Sequence, residues 1–262
     1  MPFMEKILKI VYLYPENLNL YGDNGNIEVL EYRSEKRGIQ SQVIKIGNET
    51  DINSIDTNDM NLVFMGGGPD SGQRDMYQDL LQNKSQFLKS YIENNGVGLF
   101  ICGSYQLLGH YYKAADGSTL EGLGIFDLYT QHFGDTKPRC IGNTLAQLTS
   151  KITDDILFKT SPQYGNQIVG FENHGGRTYL NSGAHPLATV IKGHGNNSED
   201  TQEGVMYKNA IGTYFHGPFL AKNPHFADYL IAKSLNISMS DFSTIDDSLV
   251  SAAFTASKQL KQ

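Results

Sequence analysis

The sequence predicts an α/β fold: a three-layer sandwich with a mostly parallel central sheet and a partly antiparallel second half. Three observations support this prediction. Strand and helix signals alternate along the first half of the chain. The strand segments there are short and continuously apolar, as at 62–65, which is typical of parallel strands buried on both faces. Between Leu120 and Phe215, glycines and short alternating runs dominate and indicate antiparallel strands with longer loops.

The elements of the first half follow in chain order. β-branched and aromatic runs predict four strands, over 9–14, 41–46, 62–65 and 97–101. Apolar residues at helical spacing predict helices over 26–37 and 77–92, which Gly38 and Gly96 close because glycine tolerates a positive φ. A further helix is predicted from Gly103 to about Tyr111.

The second half carries weaker signals. Alternating runs predict strands over 167–171 and 210–215. Asn223 and Pro224 predict the start of a helix, with Asn223 as its N-cap. The polar segment 245–262 has weak helical spacing. Without repeats or a low-complexity linker, we predict a single domain over 1–262, whose tail from about residue 240 is a candidate contact for a partner.

Composition excludes several classes of function. The chain has 262 residues, a formal net charge of −7 and two cysteines, too few for a disulfide framework and without a CxxC pair for zinc. The negative charge argues against nonspecific nucleic-acid binding. No apolar run approaches the roughly 18 residues of a membrane helix, and the N-terminus is typical of a first strand rather than a signal peptide. We therefore expect a cytoplasmic protein with free thiols.

Cys102 is the most informative residue in the sequence. It follows the predicted strand 97–101 and precedes a helix, so it occupies a sharp turn. The N–H groups at the start of a helix favour thiolate over thiol, and the N–H of Gly103 would point at a developing oxyanion. The sequence therefore predicts a nucleophile elbow with cysteine in the place of serine. Cys140 has no such turn and is predicted to be an ordinary buried thiol.

A cysteine nucleophile needs a proton carrier, and the chain offers seven histidines. His216 ends a strand-like run and is followed by Gly217 and Pro218, which makes it the first candidate. His174, among glycines at 170–176, is the second. No two histidines have metal-ligand spacing, so we expect no metal site. The glycines at 66–68 lack a following Gly-Lys-Ser/Thr and would instead supply a second oxyanion N–H.

Together these motifs resemble a known family. The segment ICGSYQLLG at 101–109, paired with GTYFHG at 212–217, is similar to class I glutamine amidotransferases of the cobyric acid synthase branch. Further segments resemble the glutaminase subunits of lipid II isoglutaminyl synthase: LNLYGDNGN at 18–26, GGG at 66–68, LEGLG at 120–124 and GFENHGGRT at 170–178. The resemblance runs from about residue 8 to about residue 235.

The resemblance implies hydrolysis of L-glutamine to glutamate and ammonia. Cys102 would attack the side-chain amide and form a thioester, and His216 would act as general base and acid. Gly103 and one of Gly67 or Gly68 would bind the oxyanion. The resemblance also implies substrate-binding residues, namely Arg139 for the α-carboxylate, Gln106, and the segment around Asn173 and His174.

Two departures from the family pattern matter. Phe100 and Ser104 stand where many relatives carry glycine, so less room is expected behind the elbow. Pro218 stands where an acid usually follows the catalytic histidine. We therefore predict a Cys102–His216 dyad without an orienting carboxylate of its own, and a partner that supplies the carboxylate in trans.

The implied partner is a Mur-ligase-like subunit that forms a heterodimer with this chain. It would bind ATP, magnesium and lipid II and use the ammonia to convert the D-glutamate α-carboxylate of the stem peptide to D-isoglutamine in peptidoglycan synthesis. The resemblance implies no cofactor on this chain, no nucleic-acid partner and no transmembrane segment.

Three alternatives remain open from the sequence. The chain could be a glutaminase for cobalamin-type or another amidation. It could be a non-catalytic glutamine-binding scaffold for a ligase. A serine hydrolase with Ser71 or Ser104 as nucleophile is disfavoured, because Ser71 lacks an elbow and Ser104 lies inside the predicted helix start.

Overall fold

The computed structural model describes residues 6–56 and 59–260 and contains a central sheet flanked by helices. Within that part of the chain, the strands are β1 Ile7–Leu13, β2 Gln40–Ile46, β3 Leu62–Met65, β4 Val97–Ile101, β5 Tyr111–Lys113, β6 Thr119–Glu121, β7 Leu128–His132, β8 Cys140–Leu148, β9 Gln167–His174, β10 Gly176–Leu180, β11 Ala188–Lys192, β12 Gln202–Glu203, β13 Val205–Tyr207 and β14 Ala210–Thr213. The α-helices are α1 Gly25–Glu35, α2 Asp70–Asp79, α3 Ser85–Glu93, α4 Gly103–Leu107, α5 Ser150–Thr153, α6 Phe219–Lys222, α7 Pro224–Leu235 and α8 Ser248–Gln259. A π-helical segment, Leu80–Lys84, joins α2 to α3, and short 3₁₀ turns cover Leu20–Gly22, Ile52–Ser54, Gly134–Thr136 and Met239–Asp241.

The central sheet has the order β13-β14-β4-β3-β1-β2. All neighbours in it are parallel except β13 and β14. Every residue of β3 and β4 is buried, because both faces of these strands are covered, and this accounts for their continuous apolar sequence. Both strands have the bounds predicted from the sequence.

Helices cover the two faces of this sheet and complete the three layers. Ile10 of β1 shares a core cluster with Leu30 of α1 and Leu230 of α7. Val11, the next residue, points the other way and shares a cluster with Leu88 of α3. This alternation places α1 and α7 on one face and α2 to α4 on the other. The predicted sandwich with a mostly parallel sheet is confirmed.

The second half forms two smaller four-stranded sheets, β10-β7-β5-β6 and β12-β11-β8-β9. Their pairings are antiparallel except for β5 with β7, as the alternating segments predicted. A bridge between Phe171 of β9 and His216 joins the second of these sheets to the segment after β14. The site is therefore built where the central sheet meets the second half.

One local prediction was wrong, and two others differ from the structure in detail. The helix after Cys102 ends at Leu107 rather than near Tyr111, because His110 N–H donates to Leu128 O and the chain pairs with β7 instead. Asn223 is the N-cap of α7 and Pro224 its first residue, as predicted, but the Asn223 side chain bonds to the backbone of Val169 rather than to the helix. The helix predicted over 26–37 ends at Glu35, although Gly38 does have a positive φ of 70°.

The C-terminal segment packs against the body of the same chain. Phe254 of α8 is buried and contacts Tyr164 and His225 edge-on. Arg33 of α1 donates to both Asp228 and Asp247. The tail from about residue 240 thus has intramolecular contacts, and its contact with a partner stays a prediction. Residues 1–5, 57–58 and 261–262 of the predicted domain lie outside the described residues. Among the described helices, none is long and apolar enough to cross a membrane.

Candidate active site

Cys102 occupies a strained turn between β4 and α4. Its backbone has φ 50° and ψ −106°, a conformation that costs a non-glycine residue about 1–3 kcal/mol. Neighbouring elements hold the turn, since Cys102 N–H donates to Thr213 O (2.8 Å) and Gln106 N–H donates to Cys102 O (3.0 Å). The strain fits a predicted nucleophile elbow, which raises the side chain above the end of the sheet.

Ser104 explains one departure from the family pattern. Its buried hydroxyl donates to Met65 O (2.8 Å) and lies 3.0 Å from Ile101 O, so it ties α4 to the ends of β3 and β4. A hydroxyl engaged in this way is not a nucleophile. The ring of Phe100, the other departure, packs edge-on against Phe126 on the face of α2 and α3.

His216 is buried and faces Cys102. Its backbone N–H donates to Phe171 O (2.9 Å), which fixes the residue against β9. Burial lowers the pKa of the imidazole, but the charge of Cys102 and the carboxylate of Asp23 outweigh burial and raise the pKa to about 10. The imidazole is therefore positively charged at neutral pH, as a general acid beside a thiolate must be.

Asp23 corrects the prediction that this chain lacks an orienting carboxylate. Both of its oxygens lie 3.2 Å from Nδ1 of His216, and the carboxylate is fully buried. Asp23 follows the 3₁₀ turn Leu20–Gly22, so it reaches His216 from the opposite end of the chain. A carboxylate from this chain already fills the place that we assigned to a partner.

Sequence reasoning missed Asp23 because the contact is not local. The residue lies 193 positions from His216, and neither periodicity nor spacing connects the two. The available signal was the segment LNLYGDNGN at 18–26, in which Asp23 is the one acid. That segment carried the family resemblance without any assigned chemistry.

The predicted oxyanion glycines surround the same residues. Gly67 N–H donates to Asp23 Oδ2 (2.8 Å), so this N–H is engaged and leaves Gly68 and Gly103 as the candidate donors. A Cβ on Gly67 would lie 2.7 Å from His216 Cε1 and 3.0 Å from Cys102 Cβ, so only glycine fits there. Gln73, which sequence reasoning missed, donates to Gly68 O (3.2 Å) and packs over Gly103.

A cavity of about 460 Å³ opens over Cys102. The four predicted substrate-binding residues all line it, namely Gln106, Arg139, Asn173 and His174. Cys140 is buried outside this lining, with its Sγ 3.3 Å from Ser198 Oγ. The structure therefore brings together the predicted site residues and leaves the second cysteine apart.

One wall of the cavity is a hydrogen-bonded chain of three side chains. Arg139 donates through Nε and Nη2 to Asn173 Oδ1, over 3.2 and 3.0 Å. Asn173 Nδ2 donates to the hydroxyl of Tyr21 (2.5 Å), whose ring lies edge-on to His216 with centroids 5.0 Å apart. Tyr21 is a further site residue that sequence reasoning missed, and it also comes from the segment 18–26.

His174 contributes a neutral ring to the lining of the cavity. Its Nδ1 lies 2.7 Å from Gly176 O and donates to it. Burial lowers the pKa of the imidazole to about 3, so the ring stays uncharged across the range in which enzymes work. The lining of the cavity thus includes the guanidinium cation of Arg139 and the neutral ring of His174.

Comparison with known proteins agrees with these observations. Residues 9–224 match the family model of the CobB/CobQ-like glutamine amidotransferase domain. The chain is 44% identical over 227 residues to the lipid II isoglutaminyl synthase (glutamine-hydrolyzing) subunit GatD of Staphylococcus aureus, covering 87% of this chain and 84% of that protein. It is 41% identical over 228 residues to the same subunit of Streptococcus pneumoniae, covering 87% and 80%.

The fold itself also has solved counterparts. A glutamine amidotransferase from Thermotoga maritima superposes with a TM-score of 0.50 at 15% sequence identity, covering 96% of this chain and 93% of that one. At this identity the likeness concerns the fold alone, and it supports the three-layer sandwich described above.

Proposed function

The chain belongs to the family of CobB/CobQ-like glutamine amidotransferase domains, and we propose that Cys102, His216 and Asp23 form the centre that hydrolyses its glutamine. One observation carries the proposal. The buried imidazole of His216 lies between the thiol of Cys102 and the carboxylate of Asp23, with its pKa raised to about 10. This is the Cys-His-acid geometry of nucleophilic acyl transfer.

The first half-reaction uses the negative charge of Cys102 and the positive charge of His216. The Cys102 thiolate attacks the amide carbon of L-glutamine, and the oxygen that becomes negative is met by the N–H groups of Gly103 and Gly68. As the thioester forms, Cys102 loses its negative charge, which is the strongest influence that raises the pKa of His216. The imidazolium becomes more acidic at that moment and protonates the amide nitrogen, which leaves as ammonia when the carbon–nitrogen bond breaks.

The second half-reaction returns the proton. The neutral imidazole of His216 takes a proton from water, and the resulting hydroxide attacks the thioester carbon. Glutamate leaves, and Cys102 is a thiolate again beside an imidazolium. Asp23 holds Nδ1–H throughout, so that Nε2 faces the reacting atoms.

Substrate binding is proposed for the four cavity residues. Arg139 suits the α-carboxylate because a guanidinium can bind it with two parallel hydrogen bonds. Two of its nitrogens now bond to Asn173, so the substrate carboxylate would take the place of the Asn173 amide oxygen. Gln106 and the segment of Asn173 and His174 would bind the remaining polar groups of glutamine.

The pathway is proposed from the relatives, which are named as subunits of lipid II isoglutaminyl synthase. We propose that this chain works in the cytoplasm as the glutaminase subunit of such an enzyme and needs no cofactor of its own. A Mur-ligase-like partner would bind ATP, magnesium and lipid II and use the ammonia to amidate the D-glutamate α-carboxylate. A glutaminase for another amidation would differ in this partner.

Glutamate release tests the proposal, measured for the purified chain with and without a co-purified ligase. Because Asp23 is present, the chain alone should hydrolyse glutamine. Cys102→Ala should abolish release, while the matched Cys140→Ala should leave it nearly unchanged. Release that depends on Cys140, or that is absent with the partner present, would exclude the proposed centre. Amidated lipid II in the presence of the partner and ATP would identify the acceptor.

A further inference from the structure

Tyr214 contacts two of the proposed substrate-binding residues from behind the cavity wall. It is fully buried and lies in the segment GTYFHG, two residues before His216. Its ring stacks on the imidazole of His174, with centroids 3.6 Å apart and planes 10° apart. Its hydroxyl lies 2.9 Å from Gln106 Nε2, which donates to it. The proposed mechanism gives this residue no role.

A chain of buried hydroxyls fixes the orientation of the Gln106 amide. Tyr214 Oη lies 2.6 Å from Thr178 Oγ1, which lies 2.7 Å from Thr130 Oγ1. The amide nitrogen of Gln106 can only donate, so the tyrosine oxygen accepts there and gives its own proton to Thr178. Burial raises the pKa of Tyr214 above the ordinary range, so that proton stays in place. The carbonyl end of Gln106 therefore points away from Tyr214.

His174, which contacts the same tyrosine, supplies a second acceptor. Its Nδ1 donates to Gly176 O, and because the ring is neutral, Nε2 carries a lone pair. Nε2 is buried and has no hydrogen-bond partner among the described residues. Stacking on Tyr214 sets the plane of the ring. A buried acceptor without a partner costs about 1–3 kcal/mol unless a ligand donates to it.

We propose that Tyr214 is a positioning residue that holds Gln106 and His174 as a pair of neutral acceptors, which select a substrate with N–H donors. This inference rests on the proposed function and names the part of glutamine that is recognised, its carboxamide or its α-ammonium. A carboxylate at the same place has no proton to donate and would face two lone pairs. Where the recognised part is the carboxamide, the pair therefore favours glutamine over the product glutamate; the α-ammonium is common to both.

Tyr214→Phe tests the inference, because it keeps the stacked ring and removes only the hydroxyl. Without it the Gln106 amide can turn, and we expect the KM for glutamine to rise about tenfold while kcat stays within about twofold. Thr178→Val breaks the next link and should raise KM in the same direction. Tyr229→Phe is the matched control: it removes the hydroxyl of another buried tyrosine, which lies in α7 and is bonded to Asp155 (2.9 Å), and should leave KM unchanged.

The outcomes separate this inference from the proposed function. If the wild-type chain hydrolyses glutamine and both Tyr214→Phe and Thr178→Val keep its KM, the inference is wrong. A fall in kcat at constant KM also contradicts it, because a positioning role in binding would not act on the chemical step. If the wild type shows no turnover, the proposed function fails, and calorimetric Kd values for glutamine then test the positioning role alone.

A substrate analogue identifies which donor is recognised. Glutaramate is glutamine without its α-amino group. If Tyr214→Phe weakens the binding of glutaramate as much as the binding of glutamine, the acceptors bind the carboxamide. If the substitution weakens the binding of glutamine alone, or if the wild type does not bind glutaramate, the acceptors bind the α-ammonium. Equal binding of glutamine by wild type and variant would overturn the inference.

Discussion

Asp23→Asn perturbs the proposed centre with the smallest change in shape. In the native site both carboxylate oxygens accept from Nδ1–H of His216, and Oδ2 also accepts from Gly67 N–H. An asparagine oxygen can still accept from Gly67, but its amide nitrogen then faces Nδ1. A donor at that position forces Nδ1 to accept and moves the ring proton to Nε2. The imidazole can then take up no proton at Nε2, so the thiolate–imidazolium pair of the native site does not form.

The size of the loss follows from this geometry. The equivalent substitution in a Ser-His-Asp triad lowers kcat about 10⁴-fold. Here the carboxylate oxygens lie 3.2 Å from Nδ1, a longer distance than the usual length of about 2.7–2.9 Å for a charge-assisted hydrogen bond. The hydrogen bond that orients the imidazole is therefore weaker. We therefore expect a kcat lower by about 10²–10³-fold, equivalent to about 3–4 kcal/mol of transition-state stabilisation.

The assay is glutamate release across pH 6 to 10.5, with thermal unfolding measured in parallel. Because Asp23 helps to raise the pKa of His216 to about 10, the alkaline limb of the wild-type profile should lie near pH 10 and move to lower pH in the variant. Asp127→Asn is the matched control, since its carboxylate pairs with His110 Nε2 at 2.9 Å on the exposed surface. The control should keep the wild-type rate and profile.

A folded Asp23→Asn variant with an unchanged rate and alkaline limb would refute this reasoning. The pairing of Asp23 with His216 would then be structural. The orienting carboxylate would have to come from a partner, as the sequence alone suggested.

Three further predictions concern the surroundings of this centre. Gly67→Ala should lower kcat at least about 10²-fold, because the new Cβ displaces His216 and Cys102, and unchanged glutamate release would contradict the packing described. Cys102→Ala should lower the pKa of His216 from about 10, since it removes the main charge that opposes burial, and an NMR titration unchanged from wild type would show that Cys102 does not set it. Burial and the charge of Glu172 raise the pKa of Glu203 to about 8, so the folded state keeps a proton that the unfolded chain loses near 4.5. From pH 5 to pH 8 the free energy of unfolding should therefore fall further, or rise less, in the wild type than in Glu203→Gln, as denaturant titrations of both proteins at both pH values would show.

The central sheet could be predicted because its signal is local. β3 and β4 are apolar at every position, and the glycines or Cys102-Gly103 that follow them mark their ends, so both bounds were correct. The helix after Cys102 was predicted too long because its end depends on a tertiary contact and not on a local signal. Its sequence continues to suit a helix, but tertiary pairing of His110 with Leu128 ends it.

The catalytic residues likewise fall into those that a local sequence pattern identifies and those that only tertiary contacts reveal. Cys102 and His216 each follow a strand and stand beside glycine, so a sequence pattern could identify them. Asp23 and Tyr21 lie in an irregular segment whose contacts with His216 and Asn173 form only when distant parts of the chain meet. A pattern in one sequence does not encode such contacts, and the fold was needed to find them.

The most direct test of the proposed centre is to map the adduct formed with an electrophilic glutamine analogue, 6-diazo-5-oxonorleucine. Mass spectrometry of the digested protein locates the modified thiol, and excess glutamine provides the competition control. We expect one adduct on Cys102, none on Cys140, and loss of labelling in the presence of glutamine. An adduct on Cys140, or none on the folded protein, would contradict the assignment of Cys102 as the nucleophile.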